Sequence, residues 1–218
     1  MYRESIKPEE IEPLELAVFP GRITVIDKFD KEYDRAVRHL SDQRFVGFDT
    51  ETKPVFTPHA PRCKTALLQL SSETEAFLFR LNKIGLPQEV AEIMADPYIT
   101  KIGAAVNDDI NGLRRYLNFQ PERFVDLQHI ALDYGIRDKS VRKMAAIILG
   151  LKVSKTQQLS NWEAPELSPA QQMYASIDAW ICIRMYKCLL ASPKLEVPLP
   201  TDAELARMAA AAAKARML

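Results

Sequence analysis

Two carboxylates stand two residues apart at the end of an apolar segment, FVGFDTE, where Asp49 and Glu51 flank Thr50. Residues two apart on a strand point to the same side, so both carboxylates would share one space. Two like charges at such a short distance are unfavourable unless a cation lies between them, and hard divalent ions prefer oxygen ligands. The pattern therefore indicates a divalent-metal site, although so short a pattern is also typical of two solvated acids at a strand end.

A second candidate pair is Tyr174 and Asp178 in the segment MYASIDAW. Residues four apart on a helix lie on one face, so the phenol and the carboxylate would be neighbours. The flanking residues are apolar, and acids are seldom buried without a partner. Asp178 is therefore either a functional residue or a helix-surface residue at the edge of the apolar stripe.

A third group of polar residues, Asn107, Asp108 and Asp109, follows the apolar segment KIGAAV. Asn and Asp are favoured N-cap residues, and we expect one of the three to cap the helix that begins here. Only one of the two acids is then free to face a site.

The elements that must position these groups alternate between strand and helix patterns. Helices are predicted at residues 30–41, 87–95, 108–117, 126–134, 140–149 and 168–190, with Asp126 as an N-cap. Five segments have strand character, and two of them form a hairpin around residues 72–74. The strands are RITVID, FVGFDTE, TALLQLSS, EAFLFRL and KIGAAV. This order predicts an α/β fold with a five-stranded sheet flanked by helices.

The chain divides into three regions by composition. Residues 1–21 contain three prolines among acids and are predicted to be an arm laid on the surface, with regular structure starting near Arg22. Residues 22–192 form the main domain, in which the proline-rich residues 53–64 are predicted to be a loop. Residues 193–218 form a proline-rich linker and a terminal Ala-rich helix, which Thr201 and Glu204 would cap.

The composition excludes several classes of protein. Lys plus Arg and Asp plus Glu both number 29 among 218 residues, so the chain is neither a basic nucleic-acid coat protein nor an acidic tail protein. There is no G-x-G-x-x-G and no G-K-[ST], so neither a Rossmann dinucleotide site nor a P-loop is supported. Three cysteines without a C-x-x-C favour a reduced, cytoplasmic setting. With no signal-peptide pattern and no membrane-length apolar run, we expect a soluble protein that is not exported.

Five segments occur in a fixed order: VGFDTET, ALLQL, KIGAAVNDDINGL, SNW and YASIDAW. Together they resemble the 3′-to-5′ exonucleases of the ribonuclease D and Werner-type group, the tyrosine form of the DEDD superfamily. The resemblance covers residues 22–190 and implies a ribonuclease H-like fold. Members of the ribonuclease D type usually carry helical domains after the nuclease, whereas here only the Ala-rich helix follows. The resemblance therefore leaves RNA or tRNA specificity unsupported.

The resemblance also implies a set of site residues. Four acids would bind metal, and a tyrosine that names the subgroup would join them in catalysis: Asp49, Glu51, Asp109, Asp178 and Tyr174. Asp109 rather than Asp108 matches, because the family acid stands six residues after the strand glycine, here Gly103, and four before a leucine, here Leu113.

Four converging carboxylates could hold two Mg²⁺ or Mn²⁺ ions about 4 Å apart. Such ions would lower the pKa of an attacking water and offset charge on the leaving 3′ oxygen. Tyr174 has an unperturbed pKa near 10 and is a poor general base at neutral pH, so we expect it to orient the water. Glu51 could accept a hydrogen bond from the terminal 3′ hydroxyl, which would make the enzyme an exonuclease.

Four further residues are predicted to bind the substrate, and each has a plainer alternative. Phe56 would stack on the terminal base, or pack on the core as a loop residue. Gln69 would be a buried polar residue behind the site, or simply face outward from its strand. Arg142 and Lys155 belong to residues 137–155, where six basic residues face one acid. Such a run is typical of a solvated helix face or of a surface that follows phosphates.

We therefore expect a metal-dependent 3′-5′ exonuclease that acts on single-stranded nucleic acid or overhangs and releases nucleoside 5′-monophosphates. The alternative is a catalytically weak nuclease-fold module that binds nucleic-acid ends. The presence of all four acids and the tyrosine favours the enzyme, since one Asp-to-Asn change would suffice to lose the metals. The expected partner is DNA or RNA with a free 3′ end, and no membrane.

Overall fold

The fold is that of a computed structural model, which describes residues 1–57 and 63–215. Part of the predicted loop, with Pro58 and Pro61, lies outside the described residues, as do residues 216–218. The strands within the described part are β1 (Glu15–Leu16), β2 (Arg22–Ile26), β3 (Phe45–Thr52), β4 (Thr65–Ser71), β5 (Glu75–Phe79), β6 (Thr100–Gly103), β7 (Phe124–Asp126) and β8 (Leu151–Lys152).

Helices connect and flank these strands. They are α1 (Pro8–Ile11), α2 (Lys31–Ser41), α3 (Leu81–Ile84), α4 (Gln88–Ala95), α5 (Val106–Arg114), α6 (Leu127–Ile130), α7 (Val141–Leu149), α8 (Pro169–Leu190) and α9 (Asp202–Ala215), with a 3₁₀ turn at Ala131–Tyr134. Their starts follow the capping chemistry of the sequence. Asp30 accepts hydrogen bonds from the backbone of α2, Ser140 caps α7, and Ser168 caps α8 in a capping box.

The main sheet is mixed, with its strands in the spatial order β2-β5-β4-β3-β6-β7. β4 pairs antiparallel with both β3 and β5, whereas β2–β5, β3–β6 and β6–β7 are parallel pairs. All seven residues of β4 are buried. Burial on both faces explains why TALLQLS is a continuous apolar run and not an alternating pattern.

Helices cover both faces of this sheet. One core lies between the sheet and α2, α4 and α5, around side chains such as Phe48, Leu68 and Leu113. The other lies between the sheet and α7 and α8, around Ile102 and Trp180. The predicted α/β class is confirmed, and the layer of α7 and α8 is the one that carries Tyr174 and Asp178.

A glycine lets α8 approach β3 closely. A Cβ atom on Gly47 would stand 2.1 Å from the carbonyl oxygen of Ala179 and 2.7 Å from Ser71 Oγ. Only a residue without a side chain fits between strand and helix here. The close approach matters for function because Asp49 is two residues after Gly47 and Asp178 immediately precedes Ala179.

The sheet has one strand more than the five predicted. Phe124–Asp126 pairs parallel to β6, so the helix predicted at residues 126–134 is shorter and ends as a 3₁₀ turn. A three-residue edge strand is too short to show a periodicity of its own. Asp126 caps α6 as predicted, accepting a hydrogen bond from the backbone N–H of Gln128 at 2.9 Å.

Regular structure begins earlier than the predicted start at Arg22. Residues 1–21, here called the arm, contain α1 and β1, and β1 pairs parallel with β8. Ile6 and Ile11 are buried against Ala146. These few apolar residues dock the arm, and the contact depends on α7, which no local pattern in the arm reveals.

Among the described residues, none of the helices is both long enough and apolar enough to cross a lipid bilayer.

Candidate active site

Three of the predicted site acids come together where β3 passes α8. Asp49 and Glu51 lie on β3 and Asp178 on α8, and one carboxylate oxygen from each lies within 4.8 Å of the others. The strand places its two acids on one face because they are two residues apart. The three side chains are half-buried and line a cleft of about 330 Å³.

Burial raises the pKa of all three carboxyls, and neighbouring negative charge adds to the effect at Asp49 and Glu51. Burial raises the pKa of Glu51 to about 9, and the charges of Asp178 and Asp109 add to the effect. Burial likewise raises the pKa of Asp178 to about 7, while a hydrogen bond from Tyr174 opposes the rise. The pKa of Asp49 lies well above its usual range because of burial and the nearby charge of Asp178. Ionising this cluster is therefore costly without a cation.

The donor set fits hard divalent cations. All three groups offer carboxylate oxygens, which are the ligands that Mg²⁺ and Mn²⁺ prefer. A dication between them would offset their negative charge and so lower their pKa values. The geometry of the cluster and its electrostatic imbalance thus support the predicted metal-binding role for Asp49, Glu51 and Asp178.

Asp109 lies on the other side of β3, beside the cluster. The hydroxyl of Thr50 donates a hydrogen bond to the Asp109 carboxylate. Burial raises the pKa of Asp109 to about 6, and the Thr50 bond opposes that rise. Asp109 acts electrostatically on Asp49 and Glu51, although it is not among the three acids that meet within 4.8 Å. Asp108 is exposed.

The prediction that Asn107, Asp108 or Asp109 caps this helix is wrong. α5 begins at Val106, and its N-cap residue is Ala105, which has a left-handed backbone (φ 59°, ψ 38°) and no side-chain cap. The chain turns directly after β6, so the three polar residues lie inside the first turn of α5. The backbone N–H of Ala105 donates to Asp126 Oδ1 at 3.1 Å, which braces this turn.

Tyr174 lines the same cleft, one helical turn from Asp178. Burial raises the pKa of its phenol above the ordinary value, and the charges of Asp178 and Glu51 raise it further. The phenol therefore stays protonated at neutral pH, as a group that donates a hydrogen bond. Its ring packs against the fully buried Trp162, with 5.9 Å between ring centroids. Trp162 is therefore a packing residue behind Tyr174.

Basic residues line the cleft opposite the acids. They are the predicted Arg142 and Lys155, together with Lys139, which the sequence argument did not single out. Arg142 and Lys152 both form ion pairs with Glu12 of the arm, and Lys139 pairs with Asp202. The sequence could reveal the basic run but not its partners, because the acids come from distant parts of the chain.

Two of the predicted substrate-binding residues have contrasting positions. Phe56 is 77% exposed, so the alternative of a loop residue packed on the core is wrong. Gln69 is fully buried and pairs across the sheet with Asp49. A side chain without solvent exposure cannot touch a substrate strand, so the substrate-binding assignment of Gln69 is corrected to a position behind the site.

A second cavity, on the Asp109 side of β3, was not predicted. Its lining includes Thr50, Lys53, Asp109 and Arg115. Lys53 also pairs with Glu163 at 3.4 Å. Lys53 is far from Asp109 in the sequence, and only the fold brings it beside Asp109 and Arg115.

A mixed sheet between helices, with a cluster of acids where a central strand passes a long helix, is typical of nuclease domains of the ribonuclease H-like class. A family profile described as 3′-5′ exonuclease matches residues 25–192. The chain belongs to this 3′-5′ exonuclease family, and the resemblance to ribonuclease D and Werner-type enzymes is confirmed.

Individual relatives agree with this membership. The chain is 26% identical over 182 residues to the human Exonuclease mut-7 homolog, covering 71% of this chain and 21% of that protein. It is 30% identical over 156 residues to the mouse Bifunctional 3′-5′ exonuclease/ATP-dependent helicase WRN, covering 69% of this chain and 11% of that protein. The chain thus spans only a small part of the length of these relatives.

Solved structures share the fold. The Nibbler EXO domain of Aedes aegypti superposes with a TM-score of 0.68 at 21% identity, covering 81% of this chain and 91% of that one. RNase D of Escherichia coli gives a TM-score of 0.67 at 21% identity, covering 78% and 44%. RNase D of Trypanosoma brucei in complex with RNA U12 gives 0.71 at 18% identity, covering 83% and 66%.

Proposed function

We propose that this chain is a 3′-5′ exonuclease that removes nucleotides from the 3′ end of single-stranded DNA or RNA, or from overhangs, and releases nucleoside 5′-monophosphates. The observation that carries the proposal is the meeting of Asp49, Glu51 and Asp178 within 4.8 Å in a cleft that Tyr174 also lines. Membership of the 3′-5′ exonuclease family and the RNA-bound structure of a fold relative support it.

Two divalent cations, Mg²⁺ or Mn²⁺, would be held by Asp49, Glu51 and Asp178, with Asp109 completing the set of acids. When bound, such ions acidify water and offset negative charge at a phosphodiester. In the net reaction, a water oxygen bonds to phosphorus and the bond from phosphorus to the 3′ oxygen breaks. The chain keeps a 3′ hydroxyl, and the phosphate leaves on the 5′ carbon of the released nucleoside.

Tyr174 would orient the attacking water. Its raised pKa makes it a hydrogen-bond donor or a neutral acceptor, and not a base, at neutral pH. Trp162 packs against the ring and limits its motion. Fixing a nucleophile in this way reduces the entropy lost on reaching the transition state.

Arg142, Lys139 and Lys155 would hold the phosphates of the incoming strand, since all three line the cleft. Phe56 would stack on the terminal base from the loop after β3, because its ring is exposed. Glu51 would accept a hydrogen bond from the terminal 3′ hydroxyl, which would restrict the enzyme to unblocked ends.

The test uses strands of DNA and of RNA labelled at either the 5′ or the 3′ end, incubated with the protein in Mn²⁺ or in EDTA. We expect a descending ladder from the 5′ label, mononucleotides from the 3′ label, and no product in EDTA. A strand with a 3′ phosphate should resist. Asp178→Asn should abolish the ladder, whereas the exposed Asp108→Asn serves as the matched control.

Cleavage in EDTA, or release of internal fragments, would contradict the proposal. Binding to 3′ ends without cleavage in any metal would instead support the alternative of a catalytically weak end-binding module.

A further inference from the structure

Arg80 is a buried cation that the proposed reaction does not use. It directly follows β5, and its side chain is 1% exposed. Removing a charge from water costs several kcal/mol unless new partners replace the water. The partner of Arg80 is therefore informative about its role.

The guanidinium of Arg80 holds the segment that leads into α8. Its Nη2 donates a hydrogen bond to the backbone carbonyl of Ala164. Gln171 holds the same segment at its other end, because its Nε2 donates to Ser160 Oγ at 2.9 Å and to the carbonyl of Asn161 at 3.2 Å. Residues 160–164, here called the tryptophan segment, are thus fixed on both sides of Trp162.

Trp162 transmits the position of this segment to the active site. The indole is fully buried, and its ring lies 5.9 Å from that of Tyr174 with 39° between the ring planes. Trp162 also belongs to the apolar cluster that contains Leu67 and Ala175, the residue after Tyr174. A displacement of the tryptophan segment would therefore move the indole ring against which the phenol of Tyr174 packs.

We propose that Arg80 is a positioning residue for Tyr174: its hydrogen bond to Ala164 fixes the tryptophan segment, and Trp162 fixes the phenol ring. This inference rests on the proposed function, because it concerns the tyrosine that would orient the attacking water. Arg80 acts through Trp162 and touches neither the acids nor the substrate. Small displacements of a group that orients a nucleophile lower the rate strongly while leaving substrate binding nearly intact.

The test is a double-mutant cycle with Arg80→Met and Tyr174→Phe, with Arg80→Lys as the conservative variant. In the parent background we expect Arg80→Met to lower kcat by about 10-fold with little change in KM, and Arg80→Lys to lower it less, since one donor to Ala164 remains. In the Tyr174→Phe background, Arg80→Met should change kcat by less than about 2-fold.

A second readout does not depend on activity. In a Trp180→Phe background, Trp162 is the remaining tryptophan, because the sequence has two. Arg80→Met should shift its fluorescence emission to longer wavelength as the indole loosens and meets water, and Arg80→Lys should shift it less. The change in melting temperature that Mn²⁺ produces should match the parent, because the acids are not touched.

Lys101→Met is the matched control. Lys101 is also a fully buried cation, and it donates to the backbone carbonyls of Asp96 and Ile99, both at 2.8 Å. Its loss should lower the melting temperature without shifting the Trp162 emission, and any effect on kcat should be equal in both backgrounds.

Equal losses of kcat from Arg80→Met in the parent and Tyr174→Phe backgrounds, or an unshifted Trp162 emission, would overturn the positioning role. Either result would leave the proposed exonuclease function standing, as long as the parent releases mononucleotides and Asp178→Asn does not. An inactive parent would contradict the proposed function, and the emission of Trp162 would still decide whether Arg80 holds the tryptophan segment.

Discussion

Burial of carboxylates dominates the electrostatics of the cleft at the scale of single residues, and repulsion between them adds to it at Asp49 and Glu51. Three acids share a half-buried space, and each resists ionisation because of burial, to which the charge of neighbouring acids adds at Asp49 and Glu51. In most folds such a cluster only costs stability. Here a dication held by the three acids would relieve the same cost, which favours the proposed metal binding.

The metal-free protein should lose stability as the pH rises. The folded-state pKa values of Asp178, about 7, and Glu51, about 9, lie above those of unfolded carboxyls. Between the unfolded and folded pKa values the folded protein keeps protons that the unfolded chain releases, so the stability that these two carboxyls contribute is lost as the pH rises toward 9. Melting temperatures in EDTA at pH 5.5, 7 and 8.5 measure this.

Glu51→Gln is the control for this titration, and it should flatten the pH dependence relative to the parent. Mn²⁺ should raise the melting temperature of the parent more at pH 8.5 than at pH 5.5. If the melting temperatures of the parent and of Glu51→Gln had the same pH dependence in EDTA, the acid cluster would not be the source of that dependence.

Asp108 and Asp109 should differ sharply as adjacent residues. Asp109 accepts a hydrogen bond from Thr50 and lies beside the acids proposed to bind metal, whereas Asp108 is exposed. Asp109→Asn should lower kcat by about 100-fold or more, because an amide supplies no negative charge toward a second cation. Asp108→Asn should be nearly silent. Rates at saturating Mn²⁺ decide the matter, and an inactive Asp108→Asn beside an active Asp109→Asn would mean that the second motif is aligned one residue off.

At the scale of elements, the site depends on the spacing between β3 and α8. Gly47 sets that spacing, since a Cβ atom there would collide with the backbone of Ala179. Both elements are central to the fold, so neither can shift without disturbing the elements that pack against it. The close approach of Gly47 to Ala179 therefore sets the distance between the acids of the strand and Asp178 of the helix. Gly47 is two residues from Asp49, and Ala179 is next to Asp178.

Gly47→Ala should separate these acids. Overpacking of this kind costs about 1–3 kcal/mol, so the melting temperature should fall. The increase in melting temperature produced by Mn²⁺ should shrink too, because Asp178 moves away from Asp49, and activity should fall more than 10-fold.

Ala36→Ser is the matched control, because Ala36 is fully buried on the opposite face of the sheet. It should lower the melting temperature and leave the Mn²⁺ effect unchanged. A Gly47→Ala protein with the full Mn²⁺ effect would refute the spacing argument.

Local patterns in the sequence predicted the elements that carry their own start and periodicity. The spacing of Asp49 and Glu51, and of Tyr174 and Asp178, follows directly from strand and helix geometry. β7 escaped prediction because three edge residues have no periodicity. The early start of α5 escaped because the left-handed Ala105 is neither Gly nor Asn, the residues that usually signal that conformation.

Contacts between residues that are distant in the sequence could not be predicted from local patterns. Nothing local shows that Gln69 is fully buried beside Asp49, or that Arg80 bonds the carbonyl of Ala164. Each depends on the packing of elements whose relative positions no motif reports.

At the scale of the whole molecule, a chain of zero net charge concentrates positive charge along one rim of the cleft. The arm offsets part of it, because Glu12 pairs with Arg142 and Lys152, and Glu4 pairs with Arg137 at 2.7 Å. For the proposed exonuclease, long-range attraction of nucleic acid would consequently be weak, and binding would rest on a few local contacts.

The affinity for a single strand should therefore depend only moderately on salt. Three cleft-lining cations, Lys139, Arg142 and Lys155, predict a slope of log K against log salt of about −2. Arg142→Ala and Lys155→Ala should each reduce the slope by about 0.7. Binding is measured with the inactive Asp178→Asn protein by fluorescence anisotropy over a series of salt concentrations.

Lys143→Ala is the control for this series, since Lys143 pairs with Asp138 at 2.7 Å and does not line the cleft. Its slope should equal that of the Asp178→Asn parent. A slope steeper than about −4 would mean that the strand follows a longer basic path than the cleft provides.

The pairing of β1 with β8 has a consequence for the order in which the molecule folds. Glu12 and Lys152, which meet beside that ladder, are 140 positions apart. A chain emerging from the ribosome makes the arm first but cannot pair it until β8 has followed, and closing so long a loop is entropically unfavourable. We therefore expect the arm to dock only after β8 has been made, later than the pairing of β4 with β3 and β5.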